Sequence, residues 1–160
     1  IAGAVEAARA EILDLSHRIH ADPEPAYEEF HAAAAVADAL ARHGYEVVAP
    51  AGSLATAIRA VRRGGRGGDG PRIGILAEYD ALPGISQKAI PTREALHVDA
   101  AGHGCGHNLF GAASLGAAVA IKEMIDAKHA CANHGNRRGS GSAGRSGNQP
   151  ARIRRLTARR

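Results

Sequence analysis

The apolar positions of the first 44 residues follow the period of amphipathic helices. Val5, Ala8, Ile12, Leu15 and Ile19 recur at steps of three and four residues. This spacing predicts a helix over residues 4–20 with one apolar face. A second helix is predicted over about residues 27–42, and Gly44 is expected to end it. The apolar face predicted for this second helix contains Phe30, Ala33, Ala37 and Leu40.

Three apolar runs that follow have the composition of strands. Two of them lie at residues 45–50 and 54–63, on either side of a turn that contains proline, glycine and serine. The third run, RIGILAEYD at residues 72–80, is nearly continuous in apolar residues, which is typical of a strand buried on both faces. Residues 80–106 lack periodicity, and a loop of this length in a compact domain is usually functional.

A third helix is predicted from Asn108, a residue type that favours the helix N-cap, to about Ala127. Helices that flank strands in this order predict an α/β fold with a mixed sheet between helices.

Charge divides the chain into two parts. Residues 1–127 contain 11 basic and 16 acidic residues, whereas residues 128–160 contain nine basic residues and no acidic ones. The second part is rich in Gly, Ser and Arg and has little to bury, so we expect a disordered basic tail. An acid-free tail of this composition also fits a reading frame shifted near residue 127.

Two cysteines and an acidic N-terminal segment favour a reducing cytoplasmic location over secretion. No run approaches the roughly 18 apolar residues needed to cross a membrane, so no membrane partner is expected.

The motif GHGCGHN at residues 102–108 carries the candidate chemistry. It places His103, Cys105 and His107 on alternate positions, and thiolate and imidazole groups suit zinc and similar metals. The intervening glycines allow a positive φ and a tight path that could turn these side chains towards one point. Asp80 follows the predicted buried strand, where α/β folds collect ligands. A glycine-rich turn with a buried cysteine and surface histidines is the alternative interpretation. Four other histidines, His17, His20, His31 and His43, are interpreted as surface residues.

Three motifs in order resemble one known family. LSHRIHADPEPAYEEF, ILAEYDALPG and GHGCGHNLFGAASLGAAVAIKEMI are similar to segments of the dinuclear-metal amidohydrolases and peptidases. Within that family they most resemble the branch of p-aminobenzoyl-glutamate hydrolases and related dipeptidases. The resemblance covers about residues 4–127. It implies an incomplete catalytic domain of the zinc-peptidase type.

The resemblance also implies roles for individual residues. Cys105 and His107 match metal ligands of the family, and Asp80 matches an aspartate that supports a metal-binding histidine. His103 and Asn108 have no ligand role that we can assign. The implied cofactor is a divalent metal, zinc or manganese, with two ions in a complete member. The implied substrates are small-molecule amides of N-acyl or aminoacyl amino acids, such as p-aminobenzoyl-glutamate or dipeptides. Complete members are expected to be oligomeric.

The general-base glutamate of the family and several of its ligands have no counterpart in this sequence. Glu123 lies 16 residues after His107 and would be roughly 24 Å away on a continuous helix. We therefore expect this chain to be inactive alone. The competing hypothesis is a small zinc module that uses Cys105, His107, Cys131 and His134, with a basic tail that contacts nucleic acid. Nucleic-acid binding is the weaker hypothesis, because the tail has no aromatic residue on which bases could stack.

Overall fold

The computed structural model describes residues 2–64 and 72–136, and these form four helices and a small antiparallel sheet. The elements in chain order are α1 (Ala2–Ala7), α2 (Arg9–Ala21), α3 (Phe30–Arg42), β1 (Glu46–Val48), β2 (Arg59–Val61) and α4 (His107–Asn136). Strands β1 and β2 pair with Glu46 opposite Val61 and Val48 opposite Arg59. In the described residues, the sheet therefore consists of the two strands predicted before residue 64.

The hydrophobic core lies where α4 packs against the three N-terminal helices, most extensively against α2. Its fully buried side chain of largest volume is Leu115 on α4. The remaining members of the core cluster are mostly small: Ala8, Leu15, Ile19, Ala32, Ala35, Val36, Ala39 and Val119. Because alanine removes little apolar surface from water, this core depends on close helix contact more than on large side chains.

The first predicted helix is divided into α1 and α2. The break falls at Ala8, which is a turn residue and the N-cap of α2. Most of the predicted apolar face enters the core, since Ala8, Leu15 and Ile19 are buried and Ile12 packs against them, but Val5 on α1 is exposed. The spacing of apolar residues therefore identified the correct face despite the break.

The predicted apolar face of α3 is confirmed in part. Ala33 is buried and Leu40 packs against the core, but Phe30 is 56% exposed. The buried face is wider than predicted and also includes Ala32, Ala35, Val36 and Ala39. Most residues of this helix are alanine, so the hydrophobic pattern defines its orientation weakly. The prediction that Gly44 ends the helix is confirmed. Gly44 adopts a φ of 77°, and its N–H donates to the carbonyl of Ala41.

The prediction of a strand over residues 72–79 was wrong. These residues have no regular secondary structure, and Ile73 and Leu76 are 76% and 87% exposed. A strand buried on both faces needs a paired strand beside it. Within the described residues, β1 and β2 pair only with each other, so the apolar run has no strand partner.

Helix α4 begins at His107 and continues to Asn136, past the predicted end near Ala127. The first part of the predicted disordered tail is therefore helical, and residues 137–160 lie outside the described residues. By length and composition, His107–Lys128 could cross a membrane, contrary to the expectation from the sequence. However, 44% of this window is buried, and buried core helices share the same composition.

Candidate metal centre

The extended segment 78–80 positions two carboxylates at the start of α4. Alternate side chains of an extended chain point to opposite sides. Glu78 and Asp80 both reach the imidazole of His107, while Tyr79 points the other way and packs against the core. The Tyr79 hydroxyl donates to the carbonyl of Thr56 at 2.5 Å. Burial, with the nearby charge of Glu29, raises the pKa of Tyr79 to about 12, so this phenol stays protonated and anchors the segment.

The imidazole of His107 lies between the two carboxylates. Its Nδ1 is 2.8 Å from Oδ1 of Asp80, and its Nε2 is 3.2 Å from Oε2 of Glu78. The side chains of His107 and Asp80 are mostly buried, with 19% and 25% exposure, whereas Glu78 is 52% exposed. The structure therefore brings together two of the three residues assigned from the resemblance and adds Glu78. The sequence contained a signal for Glu78, namely its position two residues before Asp80 in an extended run.

The glycines of the motif act mainly through close packing. Of the three at positions 102, 104 and 106, only Gly106 has a positive φ, at 74°, just before α4 begins. A Cβ atom at Gly102 would lie 2.6 Å from the carbonyl oxygen of Ile85, and one at Gly104 would lie 2.5 Å from the Ile85 side chain. A positive φ, which glycine allows at all three positions, is therefore used only at Gly106, and the other two glycines provide the tight path. They allow the loop after Asp80 to pack directly on the motif.

Cys105 is exposed and carries a free thiol. Among the described residues, it does not join His107 in a cluster of three ligand atoms that could share one ion. The proposed four-ligand module is excluded by the length of α4. Cys131 and His134 lie on the same helix as His107, and Cys131 is roughly 36 Å further along the axis at about 1.5 Å per residue. The same continuity keeps Glu123 away from His107.

His103 and Asn108 connect the motif to α2. The Nε2 of His103 lies 3.0 Å from the carbonyl of Ile19, and its ring stacks on His20. Burial lowers the pKa of His103, which favours the neutral ring. Asn108 is buried and donates to the Ser16 hydroxyl at 3.0 Å. Asn108 is therefore a contact between helices and not the predicted N-cap.

A second group of potential ligands was missed in the sequence. Asp22, Glu24 and His31 place one ligand atom each within 4.8 Å of one another. Both Glu24 oxygens already accept backbone N–H groups, from His31 at 2.9 Å and from Ala32 at 2.8 Å. The 2.7 Å contact with Asp22 raises the pKa of the exposed His31. This group therefore caps the first turn of α3.

Comparison with known proteins relates the chain to hydrolases. No family model matches it. It is 39% identical over 126 residues to one subunit of the p-aminobenzoyl-glutamate hydrolase of Escherichia coli, and the match covers 77% of this chain and 25% of that protein. It is 33% identical over 126 residues to human Xaa-Arg dipeptidase, covering 70% of this chain and 24% of the relative. The chain thus spans about a quarter of the length of these curated relatives.

The fold also has a solved counterpart. The Bacillus subtilis YXEP protein, a dinuclear metal-binding peptidase of the M20 family, matches with a TM-score of 0.63 and 28% identity. The match covers 75% of this chain and 32% of that one. It supports the predicted α/β fold class, of which the helices and the small sheet are a part. In sequence and in fold, the chain belongs to the dinuclear-metal amidohydrolase and peptidase family.

Proposed function

We propose that this chain supplies part of the metal centre of an amidohydrolase that cleaves the amide bond between an acyl or aminoacyl group and an amino acid. The names of two relatives support this reaction class, since p-aminobenzoyl-glutamate and an Xaa-Arg dipeptide both contain such a bond. In this proposal, His107 and Cys105 bind a divalent metal, either zinc or manganese. Asp80 orients His107.

The Asp80–His107 hydrogen bond is the observation that carries the proposal. A carboxylate can only accept, so Nδ1 of His107 carries the hydrogen, and in a neutral ring Nε2 then presents its lone pair to an ion. A carboxylate on the far nitrogen is the usual way in which proteins fix a metal-binding histidine. The exposed, free thiol of Cys105 is accessible to an ion. The residues present therefore fit a divalent metal, which when bound would polarise the amide carbonyl and activate water.

We further propose that the 160-residue chain does not turn over substrate alone. Asp80 and Glu78 both contact the ring of His107, and the acidic residues of α4 lie too far along the helix to act beside the motif. The chain also spans only about a quarter of its relatives, which leaves room for a base and further ligands elsewhere in the active protein. The name of one relative denotes a subunit, which supports an oligomeric active form.

A chimera tests the reaction class. The matching 126-residue segment of the E. coli hydrolase subunit is replaced by the corresponding segment of this chain, and release of p-aminobenzoate is measured in the presence of the subunit's natural partner. We expect metal-dependent hydrolysis that falls below detection in Cys105→Ala and in His107→Ala.

His31→Ala is the matched control, because this histidine also pairs with an aspartate but lies on α3. It should leave the rate unchanged. A folded chimera that hydrolyses the substrate equally well without His107 would refute the proposed site. Turnover by the isolated chain would refute the proposal that it is inactive alone.

A further inference from the structure

The contact between Glu78 and the His107 ring requires a positive charge between the two side chains. Asp80 accepts the hydrogen of Nδ1, so in a neutral ring the Nε2 atom presents a lone pair. That lone pair lies 3.2 Å from a Glu78 carboxylate oxygen, which is also an acceptor. Two acceptors repel each other at this distance unless a cation lies between them. The cation is either a proton on Nε2 or a metal ion.

The spacing of the two atoms suits a shared metal ion. Zinc is bound at about 2.0–2.1 Å by histidine nitrogen and about 2.0–2.2 Å by carboxylate oxygen. Two such ligands are separated by roughly 3.4 Å at a tetrahedral angle and roughly 2.9 Å at a right angle. The observed 3.2 Å lies between these values.

The mobility expected of Glu78 also suits a ligand. Its side chain is half exposed, so the carboxylate can adjust to an ion without disturbing the core. Its backbone is held by neighbours, because Tyr79 is anchored in the core and Asp80 is bound to His107. Alternation along the extended segment gives the two acids different tasks on one imidazole: Asp80 holds Nδ1, and Glu78 faces the side where metal binds.

We propose that Glu78 is a direct carboxylate ligand of the metal ion that Nε2 of His107 binds. The inference rests on the proposed function, since it requires a metal at His107. It adds a ligand from the extended segment before the motif to those within the motif. It also assigns Glu78 a role different from that of Asp80, two residues away.

The test is a titration of the purified 160-residue chain with Co²⁺, whose visible absorption bands report the ligands of the bound ion. Glu78→Gln is compared with the wild type and with Glu28→Gln, a matched change at an exposed glutamate outside the site. We expect Glu78→Gln to lower the affinity more than about tenfold and to shift the absorption bands at saturation. Glu28→Gln should match the wild type in both. Unchanged circular dichroism would show that each variant folds.

His107→Ala separates failure of this inference from failure of the proposed function. If His107→Ala abolishes binding while Glu78→Gln binds like the wild type, the metal centre stands and Glu78 is not a ligand. Weaker binding by Glu78→Gln with unchanged bands at saturation would also overturn ligation, since the glutamate would then act only through its charge. If the wild type binds no Co²⁺, or if His107→Ala binds it normally, both proposals fail.

Discussion

Two clusters in this protein contain the same three residue types, one His, one Asp and one Glu, and differ in what each glutamate contacts. In the cap cluster, Asp22, Glu24 and His31, both Glu24 oxygens accept backbone N–H groups of α3. In the motif cluster, Glu78, Asp80 and His107, the glutamate faces the ring nitrogen opposite Asp80. Proximity of potential ligands is therefore a poor guide to chemistry.

Burial reinforces this difference. The side chain of His31 is 79% exposed and Glu24 is 12% exposed, so the glutamate is the fixed member of the cap cluster. In the motif cluster the order is reversed, with His107 at 19% and Glu78 at 52%. A metal site needs an oriented imidazole, whereas a helix cap needs a fixed acceptor. Each cluster fixes the residue that its proposed role requires.

The largest expected effect is the loss of metal binding when His107 is removed. We expect His107→Ala to lower Zn²⁺ affinity by more than about a hundredfold, because loss of a ligand should exceed the 10–100-fold cost of losing a ligand's supporting partner. His31→Ala should leave the affinity unchanged. Isothermal titration calorimetry measures both, and equal losses in the two variants would remove the distinction between the clusters.

The next effect concerns the aspartates. Asp80→Asn should weaken Zn²⁺ binding about 10–100-fold, since the amide no longer fixes the hydrogen on Nδ1 of His107. Asp22→Asn makes the same chemical change beside His31 and should not alter the affinity. A competition titration against a chelator of known affinity would show the difference, and an unaffected Asp80→Asn variant would contradict the role of Asp80.

The third expected effect is on the free energy of unfolding, and it should be larger for a change in the cap cluster than for one in the motif cluster. Glu24→Ala removes the acceptor for two N–H groups of α3, and loss of a side-chain helix cap costs about 0.5–2 kcal/mol. Glu78→Ala should change the free energy of unfolding little in metal-free buffer, because its side chain is half exposed. Urea denaturation followed by circular dichroism compares the two, and a larger cost at Glu78 would reverse the assignment.

The smallest effect is a pH dependence of the cap cluster. The hydrogen bond that the His31 ring donates to Asp22, with the charge of Glu24, raises the pKa of His31 above 6.5. Its contribution to stability is therefore fully present below pH 6.5 and is lost as the pH rises through the raised pKa. Titration of the His31 ring by NMR should give a raised pKa that returns towards 6.5 in Asp22→Asn. An unchanged pKa in that variant would contradict the pairing.

The sequence alone determined the helical core and the residues of the motif. The spacing of Ala8, Leu15 and Ile19 predicted the buried face of the first helices, because the helix period that places these residues on one side is a local property of the chain. The glycine at position 44 predicted a helix end for the same reason. The three motifs in order identified the family, whereas the roles of Asp80, Cys105 and His107 at a metal site remain predictions. The cytoplasmic location, the divalent metal at Cys105 and the character of residues 137–160 remain predictions.

Only the tertiary structure decided which side chains meet. The apolar run at residues 72–79 predicted a buried strand, yet whether a strand forms depends on partners distant in sequence, and the described residues supply none. The need for glycine at 102 and 104 comes from Ile85, a contact that no local pattern reveals. Glu24 and Glu78 are both acids near a histidine, and their separate roles follow from which backbone and ring atoms the fold places within reach.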